Sequence, residues 1–295
     1  MCTSLTLTAV DGATILARTM DFPNIDPWLP TTLPAGTAWQ PFFGSTQTTQ
    51  YKLVGAARHL DDHYLFGDGL NSAGLSCAEL YFPNRVHYYD APQNGRINLT
   101  PQDFILWVLG SHRSIADVAA DLANVALVAH TWFVENKVYP FHWILADATG
   151  QTAVLEPTTQ SLHLIDDPVR VLTNTPELSD HLSRLQAYLG NPSDLSAAAS
   201  AQIGQHSELP TGAIPTNRFI RTAINVMGHR QPQNQAEAQT AAQTYLSQVI
   251  IPDQQDGHPT ANHNFTHYIS LLNVTDLTYT FVPVSQQGAT KTYQI

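Results

Sequence analysis

Charged side chains are scarce in this sequence: 13% of its 295 residues are Asp, Glu, Lys or Arg, against the roughly 25% usual in soluble domains. Cations are the scarcer sign, with 13 Lys and Arg against 24 acidic residues and a net charge of −11. A surface that tracks phosphates needs the opposite balance, so nucleic acid is excluded as a partner. Long apolar runs are missing too. The longest, Phe104 to Leu109, is far below the ~18 residues of a membrane span, so no membrane is expected as a partner. Cysteine is limited to Cys2 and Cys77, too few for a disulfide framework or a four-thiolate zinc site. A chemically important cysteine here acts as a thiol. The N-terminus carries neither a basic segment nor an apolar signal core, which makes the cytoplasm the expected location.

Apolar residues make up 43% of the chain, enough for a sizeable core. The 13 histidines are numerous enough, if protonated, to cancel the negative charge. Thr3 to Val10 reads as a strand, Asp11-Gly12 as a two-residue hairpin turn, and Ala13 to Thr19 as the returning strand. That turn would set Cys2 opposite Asp21. Arg18 stands an odd number of residues from Asp21, so both could attend Cys2 only if the strand bulged or ended between them.

Prolines recur between Phe22 and Phe43, the pattern of a loop or sheet edge. Strands are expected at 51–57, 74–81, 141–147, 152–156, 162–165, 169–173, 266–274 and 277–284. Helices are expected from Thr100-Pro101-Gln102-Asp103 to Leu109, after Ser114, and over 177–189, 217–227 and 236–249. Many strands are apolar on both faces, as Trp143-Ile144-Leu145-Ala146 illustrates, and a sheet buried on both sides needs two covering layers. Two stacked, mainly antiparallel sheets with helices outside satisfy this, in one domain over residues 1–295.

The sharpest chemistry lies at the start. Loss of Met1 would leave Cys2 with both a thiol and a free α-amine, which titrates near 7.7–8.0 and can serve as a base at neutral pH. One residue then supplies nucleophile and base. A neighbouring arginine favours a thiolate, which would set a neutral to mildly acid optimum, and Asp21 could hold the amine.

Met1-Cys2-Thr3-Ser4-Leu5 together with Ala17-Arg18-Thr19-Met20-Asp21-Phe22 resembles the choloylglycine hydrolase family, the bile salt hydrolases and penicillin V acylases. Asp68 to Leu75 is similar to a family turn, Phe104 to Leu109 to a family helix, and His142-Trp143 with Asp147-Ala148-Thr149-Gly150 to a family hairpin. Val171 to Pro176 and Asn217-Arg218-Phe219-Ile220-Arg221 complete the match in order.

The resemblance implies an α+β, four-layer αββα N-terminal nucleophile hydrolase that cleaves linear amides of small N-acyl substrates, with no cofactor and no metal. It implies Cys2 as nucleophile and base, with Arg18 and Asp21 orienting and polarising it. Asn174 and the backbone N–H of Tyr81 become oxyanion donors, and Arg218 a further positive charge near the thiolate. Tyr81 stands where penicillin V acylases tend to have tyrosine and bile salt hydrolases asparagine. The acylase reading therefore leads, the bile salt reading follows, and a catalytically silent small-molecule binder is the alternative of another class.

Met20, Phe22, Tyr64, Phe66 and Trp132 are candidate pocket residues. Glu79 takes the place of a small residue, which brings a charge near the acyl pocket. The stretch between Asn174 and Arg218, which the family uses in tetramer assembly, is short here, leaving a homo-oligomer expected but its tetrameric form open. His59 with His63, and His263 with His267, have helical metal-ligand spacing without a convincing helix. Cys77, in an apolar strand, reads as a buried small hydrophobe.

Overall fold

The computed structural model describes residues 2–23, 27–253, 264–285 and 288–295. Strands β1 (Thr3–Thr8) and β2 (Thr14–Phe22) form the expected antiparallel hairpin. Its loop has three residues, Val10-Asp11-Gly12. It is closed by Gly12 N–H donating to Ala9 O at 3.0 Å and Ala9 N–H donating to Ala13 O at 2.8 Å. Gly12 has φ +90°, the left-handed conformation common at the end of such loops. Thr3 therefore faces Thr19 and Ser4 faces Arg18. Carried one step further, this register sets Cys2 opposite Met20. The expected pairing with Asp21 is corrected by one residue, and a one-residue slip reverses every side chain's face.

The proline-bearing stretch contributes β3 (Leu29–Leu33), an edge strand in which Pro30 is tolerated. After a small ladder of β4 (Ala38–Trp39) and β5 (Gln47–Thr48) come β6 (Leu53–Leu60), β7 (His63–Asn71) and β8 (Leu75–Tyr81). Strand β9 (Ile97–Leu99) pairs in parallel with β10 (Val125–Leu127). Between them lie helices α1 (Phe104–Ser111) and α2 (Ile115–Asp121). Thr100 and Asp103 do form reciprocal hydrogen bonds, Thr100 N–H to Asp103 Oδ2 at 3.1 Å and Asp103 N–H to Thr100 Oγ1 at 3.3 Å. They close the turn before α1 rather than its first turn. Ser114 caps α2 as expected, accepting from Asp117 N–H at 3.2 Å.

The second half supplies β11 (Phe141–Asp147), β12 (Thr152–Leu155), β13 (Ile165–Asp166) and β14 (Val171–Leu172). Helices α3 (Leu178–Tyr188), α4 (Leu195–Gly204), α5 (Pro215–Gly228) and α6 (Gln235–Ser247) follow. The described chain closes with β15 (Phe265–Asn273), β16 (Thr278–Pro283) and β17 (Lys291–Gln294).

Two large sheets result, ordered β14-β1-β2-β15-β16-β17 and β13-β12-β11-β8-β7-β6-β3, every neighbouring pair antiparallel. They pack face to face, with Tyr268 and Tyr279 of one sheet donating to Asp68 of the other, each at 2.8 Å. On the far side of the second sheet, Asn71 Nδ2 donates to the Leu109 and His112 carbonyls at the end of α1. Helices α5 and α6 cover the first sheet, and α3 and α4 pack on α5. The fold is thus an α+β αββα sandwich, and burial on both faces is why β8 and β11 read as continuous apolar runs.

Candidate active site

The hairpin register sorts the N-terminal residues onto two faces. Even positions, Cys2, Arg18 and Met20, point between the sheets; odd positions, Thr3, Thr19 and Asp21, point toward the helices. The odd spacing between Arg18 and Asp21 needs no bulge between them on β1's side. The irregularity of this region lies on β15, between Thr266 and Tyr268.

Between the sheets, the fully buried Arg18 spreads its guanidinium over four acceptors. Nη1 donates to Gly67 O at 2.5 Å, Nη2 to Cys2 Sγ at 3.0 Å and to Met20 Sδ at 3.3 Å, and Nε to Thr19 O at 3.3 Å. Asp68 Oδ2 lies 3.7 Å from Nη1. Burial works against the Arg18 charge, but Cys2, Tyr268, Asp68 and Glu79 more than offset it and raise its pKa above the ordinary value. A cation hydrogen-bonded to sulfur stabilises the anionic form of that sulfur.

On the helix side, Asp21 accepts from Thr19 Oγ1 at 3.1 Å and Thr266 Oγ1 at 2.6 Å. Arg218, in the first turn of α5, lies 3.9 Å from Asp21 Oδ2. Its Nη1 donates to the Cys2 carbonyl at 2.6 Å and to Thr3 Oγ1, its Nη2 to Asn174 Oδ1 at 2.8 Å, and its Nε to Ala213 O at 2.9 Å. Arg218 thus fixes the Cys2 backbone and Asn174, while Arg18 holds the sulfur. Burial lowers the Arg218 pKa, against the opposing pull of Asp21 and Cys2.

Asn174 follows β14 and precedes a cis Thr175–Pro176 bond. Its Oδ1 accepts from Cys2 N at 2.5 Å, and its Nδ2 donates to Tyr81 O at 2.8 Å. The Arg218 bond fixes which end of the amide is oxygen, since only an acceptor can face a guanidinium. One Nδ2 hydrogen remains for another acceptor. Phe82 N–H donates to Pro140 O, so the antiparallel alternation turns the Tyr81 N–H away from β11. With Met1 in the sequence, the Cys2 nitrogen is a peptide N–H standing where a free amine would be after Met1 is removed.

Cys2 is fully buried, and its Sγ lies 3.9 Å from the Asp21 carbonyl. Beside it is a cavity of about 190 Å³ lined by Asp21, Phe22, Pro23, Tyr81, Lys137 and Asn264. Of the candidate pocket residues, Phe22 lines this cavity, edge-on to Tyr81 and Trp28, and Met20 touches Arg18 beneath it. Tyr64 instead stacks on His59 at 4.3 Å and packs on Phe66 at 5.9 Å. Trp132 lines a separate cavity of about 320 Å³ with Arg58, His59 and Leu60.

His59 and His63 lie on strands β6 and β7, and His63 stacks on Phe42 at 4.1 Å. His263 is outside the described residues, and His267 binds Phe22 O through Nε2. Among the described residues no group of three or more His, Cys, Asp or Glu side chains could hold a metal ion. Cys77 is a buried free thiol.

Two residues of the site are missed by sequence reasoning. Asp68 balances Arg18; its one signal is an acid between Gly67 and Gly69 in an otherwise apolar strand. His181, on α3, donates from Nε2 to Asn174 O at 2.8 Å. Burial holds its pKa down at about 4, so the ring is neutral at pH 7. No local pattern announces it.

Comparison with known proteins agrees with this geometry. A family profile described as linear amide C–N hydrolases, choloylglycine hydrolase family, matches residues 2–290. The bile salt hydrolase/transferase of Clostridium perfringens (strain 13 / Type A) is 31% identical over 237 residues, 76% of this chain and 71% of that protein. The conjugated bile acid hydrolase of Lactobacillus acidophilus is 32% identical over 237 residues, 77% of this chain and 75% of that protein. Among solved structures, the penicillin V acylase of Agrobacterium tumefaciens superposes with a TM-score of 0.78 at 20% identity, covering 100% of this chain and 86% of that one. A mutant of the conjugated bile acid hydrolase from Clostridium perfringens gives 0.84 at 24% identity, covering 100% and 92%. No helix among the described residues is long and apolar enough to cross a membrane.

Proposed function

Because this chain belongs to the choloylglycine hydrolase family, whose members hydrolyse linear amide C–N bonds, we propose that it cleaves N-acyl amides with Cys2 as nucleophile and base. We read residues 1–295 as one catalytic domain acting in the cytoplasm, where both thiols stay reduced. The observation that carries the proposal is Cys2 itself, its Sγ 3.0 Å from Arg18 Nη2 and its nitrogen 2.5 Å from Asn174 Oδ1.

Once Met1 is removed, the Cys2 amine donates one hydrogen to Asn174 Oδ1 and takes the thiol proton on its lone pair. Arg18 steadies the thiolate as it attacks the amide carbon. The carbonyl oxygen becomes an oxyanion, to which the second Nδ2 hydrogen of Asn174 and the Tyr81 N–H are offered. Collapse breaks the C–N bond, the α-ammonium returns its proton to the leaving amine, and a thioester remains. Water, deprotonated by the same amine, attacks the thioester, releases the acid and restores the thiol. Asp21 and Arg218 act as positioning residues on the far face.

Tyr81 and Phe22 on the cavity wall favour a compact aromatic acyl group of the penicillin V type. The cavity of about 190 Å³ is smaller than the ~300–1,000 Å³ of typical drug-sized sites. A bile salt substrate is the second reading, favoured by relatives at 31% and 32% identity that carry that name. Penicillin V, taurocholate, glycocholate and a long-chain acyl homoserine lactone should be assayed side by side, with intact mass recorded for each preparation. The expected result is turnover of penicillin V that is confined to protein lacking Met1 and abolished in Cys2→Ser. Turnover by protein retaining Met1 would refute the base assignment, and binding without turnover in every form would indicate a silent binder.

A further inference from the structure

Lys137 has no part in the mechanism above, yet it lines the cavity beside Cys2. It lies between a short 3-10 turn (Phe133–Glu135) and β11, where its own carbonyl accepts from Trp132 N–H. Its Nζ sits 4.7 Å from the ring centroid of Tyr81 and 5.1 Å from that of Tyr139. Tyr81 packs in turn on Phe22, and Tyr139 stacks on Phe141 at 5.2 Å. The ammonium is therefore held by two ring faces that are themselves fixed, at a half-buried position.

Among the described residues no carboxylate lies within ion-pair distance of Lys137. Asp21, on the same cavity wall, is engaged by Thr19, Thr266 and Arg218. Glu135, the nearest acid in sequence, is engaged by Arg58 and Tyr139. In a chain with 24 acidic residues and only 13 cations, a lysine placed this way is conspicuous. Aromatic faces orient an ammonium without neutralising it, so its charge stays available to an incoming anion. The opposite wall, Phe22 and Pro23, is apolar and suits an acyl group, which leaves the anion to the other half of the substrate.

We infer that Lys137 is a specificity-determining residue that pairs with a carboxylate or sulfonate on the amine half of the substrate. Preferred substrates are then N-acyl amino acids and their sulfonate analogues, with neutral amides disfavoured. This rests on the hydrolase reading, and the test separates the two. N-phenoxyacetylglycine and N-phenoxyacetylglycinamide share a scissile amide and differ by one charge. In Lys137→Met, KM for the glycine compound should rise about tenfold with kcat nearly unchanged. The glycinamide should be unaffected, and Lys137→Arg should recover most of the loss. Equal changes for both compounds, or none for the glycine compound, would overturn the inference. If wild-type protein cleaves neither, the hydrolase reading fails. Calorimetric binding of the two compounds to Cys2→Ala, with and without Lys137→Met, then decides for Lys137. Charge-selective binding lost with the lysine supports it, and equal binding rejects it.

Discussion

At the residue scale, Glu79 is the group with the least support from its surroundings. It lies on β8 opposite Trp143, 1% exposed, and neither carboxylate oxygen has a hydrogen-bond partner among the described residues. Burial pushes its pKa well above the ordinary carboxylate value; Arg18 pulls it down and Asp68 pushes it further up. A folded-state pKa above the unfolded value of ~4.3 means that the folded protein holds a proton the unfolded chain releases. Stability is therefore greatest below that unfolded value and declines as pH rises toward the folded one. Glu79→Gln removes the titration and should raise stability at pH 7 by ~1–3 kcal/mol. The difference should shrink toward zero below about pH 4. Denaturant melts at pH 4 and pH 7 check this, and a gap independent of pH would disprove it.

At the scale of elements, β6 and β7 must approach more closely at one point than side chains allow. A Cβ on Gly55 would meet the Asp68 carbonyl and lie 2.8 Å from Gly69 Cα. Gly55→Ala should therefore displace the backbone that carries Asp68. The expected cost is ~1–3 kcal/mol, with a fall in kcat because Asp68 lies beside Arg18. Thermal unfolding and steady-state kinetics on the same preparation measure both effects; full activity at reduced stability would separate Asp68 from catalysis. The long strands were legible because period and burial agree: β8, β11, β15 and β16 lie where their apolar runs predict. Short or polar elements were not. Strand β17 is only Lys291–Gln294, and α4, built on Leu195-Ser196-Ala197-Ala198-Ala199, lacks a clear apolar stripe. Hairpin register was missed by one residue because Asp-Gly suits a two-residue turn and the last two positions of a three-residue loop equally well. Arg18 and Asn174 were found through resemblance, whereas the bond from His181 to Asn174 depends on how α3 packs and has no local signature.

For the whole molecule, sparse charge and abundant histidine make solubility depend on pH. Net charge is −11 at pH 7 and the isoelectric point is about 5.5. Solubility should pass through a minimum near pH 5.5, where mutual repulsion vanishes. Light scattering across pH 4.5 to 8 at constant ionic strength reads this out, and a flat profile would contradict it. Stability responds less simply, because buried groups oppose one another. Burial lowers the pKa values of His63, His181 and His267, so each loses stability as pH falls below the ordinary histidine value. Burial also raises Asp103 to about 6 and Asp167 to about 7, and each of these loses stability as pH rises from the ordinary carboxylate range to those values.

The three-residue loop at Val10-Asp11-Gly12 imposes an arithmetic of odd and even on everything downstream. Adding or deleting a single codon there would exchange the two environments of β2. The guanidinium now lodged in the dry seam would turn outward beneath α5, and the Asp21 carboxylate would turn inward toward the sulfur. Insertions of two residues preserve parity. Length variation in this loop is thus tolerable only in pairs, although the loop touches neither the sulfur nor the cleft.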